Sequence, residues 1–243
     1  MFLKSMKIIP GSLLACLAFV TINPVNAAIS IDRTRVIIIG DEKSAQINVT
    51  NHSKKAPYLA QSWLENENGE KITAPLTVLP PLQRVEKDST VQVNIMPLPS
   101  AAQLPQDRES LFFYNLQEIP PKSDKSNVIQ LALRIKIKAF YRPAGLKKIA
   151  EENWQEKLQL SAGNNVLKLT NPTPFYIVIP RITIDNKPVT IEDDATTLKP
   201  GKEVIIQRVN AQNKSIKIQY INDYGAYTPL LYKCDKDQCA IIK

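Results

Sequence analysis

The chain has 243 residues, 44% hydrophobic and 22% charged, a composition that points away from disorder and leaves room for two domains. Its net charge is +8, but the basic residues are spread over the whole length, as solvated faces are, and form no dedicated polyanion tract. With seven glycines and one histidine, it offers no Gly-rich phosphate loop and little for histidine-based metal or triad chemistry.

In chain order, Lys4 and Lys7 form a positive start, residues 8–20 are mostly apolar, and Val25-Asn26-Ala27 supplies small residues at a cleavage site. Residues 1–27 read as a secretory signal peptide, with Ala28 the first mature residue. Leu13-Leu14-Ala15-Cys16 resembles a lipoprotein box, but the apolar run continues past Cys16 to Val20, which favours the ordinary signal. The run is short and broken by Pro10 and Gly11, and no later segment reaches the ~20 apolar residues of a span, so no membrane insertion is expected. Losing Lys4 and Lys7 takes the basic residues from 31 to 29 against 23 acidic, a net +6.

From Ala28 to Arg142 the chain reads as strand after strand. Residues 29–39 are extended and β-branched, and residues 44–50 alternate through Ala45, Ile47 and Val49. Residues 58–64 carry Trp63 and turn at Glu65-Asn66-Glu67-Asn68-Gly69 into residues 71–78. Pro80-Pro81 bars a central strand there. Val91, Val93 and Ile95 alternate again, and residues 109–119 form an aromatic strand with Phe112, Phe113 and Tyr114. About seven short strands at this spacing predict a β-sandwich of immunoglobulin type.

Residues 127–143 hold the strongest pattern. Ile129, Leu131, Leu133, Ile135 and Ile137 alternate with Gln130, Ala132, Arg134, Lys136 and Lys138. That period of two predicts one strand about twice the usual five or six residues, with one apolar and one polar or basic face. Ile135 and Ile137 fit its own core. Ile129, Leu131 and Leu133 lie at the loop-proximal end of the last strand of the sandwich, expected to be an edge. An exposed apolar edge is an aggregation hazard unless a partner covers it, so the segment predicts strand addition to another protein's sheet.

After Pro143-Ala144-Gly145, residues 146–158 are helix-like and read as a hinge with one helical turn. A second β series follows at residues 165–170, 175–184, 204–209 and 214–221, ending in a hairpin over 228–242. The fold class is therefore all-β, two immunoglobulin-like sandwiches, with residues 28–147 as the first domain and 148–243 as the second. Cys16 leaves with the signal peptide, and the even pair Cys234 and Cys239 in an oxidising compartment predicts a disulfide on the last hairpin, worth about 2 kcal/mol.

No catalytic or metal-binding residue is expected, and no cofactor. His52 stands in the loop Asn51-His52-Ser53, and the carboxylate pairs Glu151-Glu152 and Asp193-Asp194 are sequence neighbours whose side chains point apart. An enzyme is the least supported reading. Glu109, Arg142 and Asp223 stand out at element ends: if the sandwiches meet at an angle, Arg142 could bridge both acids and fix orientation.

Two segments carry a specific resemblance: Leu104-Pro-Gln-Asp-Arg-Glu-Ser-Leu-Phe-Phe-Tyr-Asn-Leu-Gln-Glu-Ile-Pro120 and Ile137-Lys-Ala-Phe-Tyr-Arg-Pro143. Asp32-Arg-Thr-Arg35, Asn171-Pro-Thr-Pro174 and Ile221-Asn-Asp-Tyr-Gly225 match as well. With these, the mature chain resembles the periplasmic pilus chaperones over its whole length. The resemblance implies two sandwiches at an angle with a cleft between them, a periplasmic location, and pilin subunits and an outer-membrane usher as partners. It implies that Arg35 and Lys138 bind the subunit's C-terminal carboxylate, that Ile129, Leu131 and Leu133 fill the groove of an incomplete immunoglobulin-like subunit, and that Glu109, Arg142 and Asp223 form the interdomain charge cluster. The short loop 121–126 resembles chaperones of adhesive rod-like pili. Self-association of the free protein through the same edge is a further possibility. Against this stand two other classes: a secreted adhesin or carbohydrate-binding module on tandem sandwiches, and a basic polyanion binder, whose affinity would fall steeply with salt. Nucleic acid is not an expected partner.

Overall fold

The computed structural model describes residues 28–123, 127–192 and 196–242. The signal-peptide reading of 1–27, Cys16, Asp193-Asp194 and residues 124–126 of the short loop lie outside the described residues.

The first sandwich is built from β1 (Ile29–Ile31), β2 (Arg35–Ile39), β3 (Ala45–Asn51), β4 (Tyr58–Glu65), β5 (Lys71–Ile72), β6 (Leu76–Leu79), β7 (Leu82–Val85), β8 (Ser89–Pro97), β9 (Ser110–Ile119) and β10 (Arg134–Arg142). One sheet runs β1-β3-β8-β6, and the other β2-β10-β9-β4-β5 with β7 also on β4. Ile38, Ile47, Leu64, Leu76, Ile95, Tyr114 and Leu116 fill the space between them.

Residues 29–39 do not form one strand. The chain crosses from one sheet to the other at Asp32, whose carboxylate accepts hydrogen bonds from the Asn48 backbone amide (3.2 Å) and side-chain Nδ2 (3.0 Å). That grip leaves β1 antiparallel to β3 and frees β2 to pair in parallel with β10, in the register Lys138↔Arg35 to Arg142↔Ile39.

The second sandwich follows a 3-10 turn (Ala144–Leu146), a short helix α1 (Lys147–Ala150), which is the expected helical turn, and a second 3-10 turn (Trp154–Lys157). Its strands are β11 (Gln159–Gly163), β12 (Val166–Thr170), β13 (Ile177–Val178), β14 (Arg181–Ile184), β15 (Lys187–Val189), β16 (Thr197–Leu198), β17 (Glu203–Gln207), β18 (Ser215–Ile221), β19 (Tyr227–Asp235) and β20 (Gln238–Ile241). The large sheet runs β15-β14-β18-β19-β20-β11-β12-β17, with β13-β16 as a separate pair. The expected strand over 175–184 is split at Pro180, which has no backbone donor for a ladder. Phe175, Ile177, Leu167, Ile216 and Ile218 make the core, and Trp154 lies over Phe175 at 4.4 Å between ring centroids. Cys234 and Cys239 face each other across β19–β20 and are joined by a disulfide.

Candidate functional site

The long strand differs from the sequence expectation in two ways. It begins at Arg134, and residues 128–133 have no assigned strand. The reason is local: Pro120 and Pro121 follow β9 directly and have no N–H to extend the ladder. At the last rung, the Glu118 amide donates to the Leu133 carbonyl (3.0 Å) and the Leu133 amide donates to Glu118 Oε1 (3.2 Å), so a side chain takes the place of the missing carbonyl. Nor is β10 simply an edge, because it lies between β2 and β9. Since β2 pairs with it only from Lys138 onward, the side of β10 away from β9 is open over Arg134 to Ile137 and closed thereafter.

Ile135 and Ile137 are half-buried against the core of the first sandwich. Their alternation continues into Ile129, Leu131 and Leu133, which are 92%, 70% and 45% exposed. Three large apolar side chains in a row thus stand outside the core whose face they share by sequence parity.

Arg35 and Lys138 are brought side by side where that open edge ends, as register partners of β2 and β10. Arg35 is only 7% exposed. Its Nη1 donates to the Ile221 carbonyl of the second sandwich (2.9 Å), its guanidinium stands 5.9 Å over the Phe140 ring, and its Nε is buried without an acceptor. Among the described residues neither cation is in a salt bridge. Burial lowers the pKa of both, and the charge of Arg35 lowers that of Lys138 further. Two like charges held together, one with an unanswered buried donor, are unfavourable by themselves and favourable around an anion.

By contrast, Arg134 and Lys136 on the same face are compensated. Both donate to Glu65, and Arg134 stacks on Trp63 at 4.9 Å. Burial opposes ionisation of Glu65, but Lys136, Trp63 and Arg134 outweigh it and hold its carboxyl at about 2. A depressed carboxyl contributes stability that is present above the ordinary carboxylate value and lost as pH falls toward 2. Glu65→Gln should therefore cost about 1.5–3 kcal/mol at pH 7. In denaturant titrations that difference should shrink as pH falls from about 4.5 toward 2. A constant difference across that range would contradict the assignment.

Glu109, Arg142 and Asp223 meet between the sandwiches. Arg142 Nε donates to Glu109 Oε1 (2.8 Å), and Nη1 donates to Asp223 Oδ2 (2.7 Å). Glu109 Oε2 accepts from the Tyr176 amide (2.8 Å), and the Glu109 amide donates to the Pro174 carbonyl (2.9 Å). The segment Asn171-Pro-Thr-Pro174 owes its shape to Asn171, whose Nδ2 donates to the Phe175, Leu198 and Lys199 carbonyls while its Oδ1 accepts from Thr173. Glu109 is 3% exposed, and burial pushes its carboxyl up to about 7 against the pull of Arg142 and the Tyr176 amide.

Sequence reasoning missed other groups at this junction. Leu111, Phe140, Tyr176 and Val178 form a small apolar cluster joined by Ile37, Phe113 and Ile221. Glu67, in the β4–β5 turn, accepts hydrogen bonds from Tyr176 Oη (3.2 Å) and Lys199 Nζ. One signal was available: Phe140 interrupts the otherwise polar row Arg134, Lys136, Lys138, Arg142, as a residue does when its face meets a second surface.

Comparison with known proteins gives two family models. Residues 28–147 match one described as pili and flagellar-assembly chaperone, PapD N-terminal domain, and residues 153–232 match pili assembly chaperone PapD, C-terminal domain. The chain is 41% identical to chaperone protein PapD of Escherichia coli over 233 residues, 95% of this chain and 97% of that one. It is 40% identical to chaperone protein PmfD of Proteus mirabilis over 240 residues, 95% of this chain and 92% of that one. A chain in the structure of the Salmonella enterica SafA pilin in complex with the SafB chaperone superposes with a TM-score of 0.73 at 25% identity, over 87% of this chain and 98% of that one.

Proposed function

The chain belongs to the PapD family of pilus-assembly chaperones, and on that premise we propose that it lends the 129–137 edge of its first sandwich to a pilus subunit while Arg35 and Lys138 hold the subunit's terminal carboxylate. We take 28–147 and 148–243 as the two domains, the periplasm as the compartment and the outer-membrane usher as the recipient of the capped subunit. The adhesin alternative draws no support from the relatives, which are named chaperones.

The observation that carries the reading is the junction of an open edge with two cations that, among the described residues, are in no salt bridge. Since β2 occupies the far side of β10 from Lys138 onward, an added strand alongside 129–137 must stop where β2 starts, at Arg35. For its carboxyl end to be the end that stops there, it must run parallel to β10. A guanidinium fork and an ammonium then give charge-assisted bonds to the carboxylate. Anchoring the terminus sets the register, and register decides which pocket each of Ile129, Leu131 and Leu133 enters, since a slip of one residue turns the row away. The action is binding without turnover: release follows when another segment replaces the lent strand, with no nucleotide consumed.

Leu131→Glu tests the lent strand without touching the cations. Leu131 is exposed in the free chain, so the variant should fold and melt as the native chain does. In the complex the substitution removes a buried apolar side chain and places a carboxylate in its pocket, about 4 kcal/mol or ~1000-fold in affinity. Co-expression with subunits encoded beside it should yield soluble chaperone and no captured subunit. Normal capture and piliation by Leu131→Glu would remove strand donation from the account.

A further inference from the structure

The carboxylate anchor is not a property of the first sandwich alone. Ile221 ends β18, and the turn that follows, Asn222-Asp223-Tyr224-Gly225-Ala226, is closed by its own hydrogen bonds. The Asn222 amide donates to the Ala226 carbonyl (3.0 Å), the Gly225 amide donates to the Asn222 carbonyl (2.9 Å), and Asn222 Oδ1 accepts from the Tyr224 (3.0 Å) and Ala226 (2.9 Å) amides. Beyond the apolar packing of Ile221, this one turn touches the first sandwich at three further points. The Ile221 carbonyl accepts from Arg35 Nη1 (2.9 Å), and Asp223 accepts from Arg142 Nη1 (2.7 Å). Gly225 lies so close to Thr34, the neighbour of Arg35, that a Cβ there would stand 2.5 Å from Thr34 Oγ1.

Gly225 also has φ +85°, which side chains rarely adopt, so two independent constraints demand glycine. Neither concerns the turn's own exposure, for Tyr224 beside it is 96% exposed. The close approach serves the contact with residues 34 and 35. Arg35 begins β2 and Arg142 ends β10, so the same turn meets opposite ends of that parallel pair, one on each strand.

We propose that the 221–225 turn of the second sandwich is a positioning element of the anchor. Its Ile221 carbonyl takes one arm of the Arg35 guanidinium, so the remaining donors are left for the subunit's carboxylate, and Gly225 sets how near that carbonyl stands. Seating of the second sandwich and grip on the subunit terminus are therefore coupled. The proposal rests on the carboxylate-anchor reading above and adds to it a residue outside the first sandwich.

The test uses full-length chaperone and a subunit from its own gene cluster, made with its native C-terminus and with two glycines appended to displace the carboxylate. The native chaperone should lose at least ~100-fold in affinity for the extended form. Gly225→Ala, which pushes the turn off Thr34, should bind the native-terminus subunit about tenfold or more weakly, and its penalty for the extension should shrink to a few-fold. Thr34→Ala in the Gly225→Ala background removes the colliding Oγ1 and should restore part of the penalty. Equal losses for both subunit forms in Gly225→Ala would make the turn a general structural element and overturn the proposal. If the native chaperone is itself indifferent to the extension, the anchor reading fails and this proposal falls with it. Should Gly225→Ala fail to fold by circular dichroism, Asn222→Ala decides: it removes the acceptor that shapes the turn and should also shrink the extension penalty, whereas an unchanged penalty would overturn the proposal.

Discussion

Replacing Arg35 with alanine should abolish capture of co-expressed subunits while leaving the chaperone folded. Truncating one partner of a buried charge-assisted contact costs about 2–5 kcal/mol in comparable interfaces, which is roughly 30-fold to several thousand-fold in affinity. The effect on stability should be small. Among the described residues of the free chain, Arg35 makes one hydrogen bond, to the Ile221 carbonyl, and holds a buried Nε without an acceptor beside the positive Lys138. Removing it loses that bond and the attraction of Asp223 and Glu109 but relieves the unanswered donor and the repulsion from Lys138, so the melting temperature should change little. Lys138→Ala should behave in the same way. Arg35→Lys keeps the charge but not the fork, and should recover only a small part of the affinity. A pull-down and a thermal melt on the same three proteins separate these outcomes. Native-like capture by Arg35→Ala or Lys138→Ala would end the anchor assignment, and a large loss of stability in either would mean that the pair serves the fold.

The row Ile129 to Ile137 was legible because period-two alternation survives in any sequence that forms or lends a strand. Alternation records which side chains share a face and says nothing about whether a neighbour is present. Hence the sequence showed one long strand where the structure shows a ladder from Arg134 and an unassigned stretch before it. The β-sandwich class was legible for a related reason, since short alternating runs between prolines and turns leave few other architectures. What the alternation could not show, and only the family resemblance implied, is the meeting of the first and last strands of the first sandwich. Arg35 and Lys138 meet only because Asp32 sends the chain across to the second sheet, where β2 pairs in parallel with the last strand. No local pattern encodes such a pairing, and residues 29–39 looked like one strand because both halves are β-branched. The Arg35 contact with a backbone carbonyl was also beyond reach, because any residue could supply that carbonyl. Only the glycine at 225 carries a trace of it.

Arg142→Ala should be the most destabilising single change at the junction, at about 3–5 kcal/mol, because it leaves the Glu109 carboxyl buried without its cation and takes the partner from Asp223. The pH dependence should test this assignment to burial. Glu109 in the folded chain holds its proton up to about pH 7, whereas a free glutamate releases it near 4.5. A raised carboxyl makes stability fall as pH rises through that window, since the unfolded chain gives up its proton first. Without Arg142 to favour the charged form, the rise is larger and the fall continues to higher pH. Arg142→Ala should therefore lie nearest the native chain at pH 5 and farthest from it at pH 8. A loss independent of pH would assign the cost to the missing contacts over Phe175 instead. The paired change Glu109→Gln with Arg142→Met removes both charges. It should melt close to the native chain, because a buried ion pair is weak evidence for stability. Orientation is a different matter: with the bridge to Asp223 gone, the 221–225 turn keeps its bond from Arg35, the packing at Gly225 and the apolar contact of Ile221 but loses its ion pair. Small-angle scattering of the double variant should then show a broader spread of interdomain geometries, and subunit capture should fall although stability does not. A double variant with native scattering and native capture would mean that the apolar cluster around Phe140 and Tyr176 fixes the geometry without the charges.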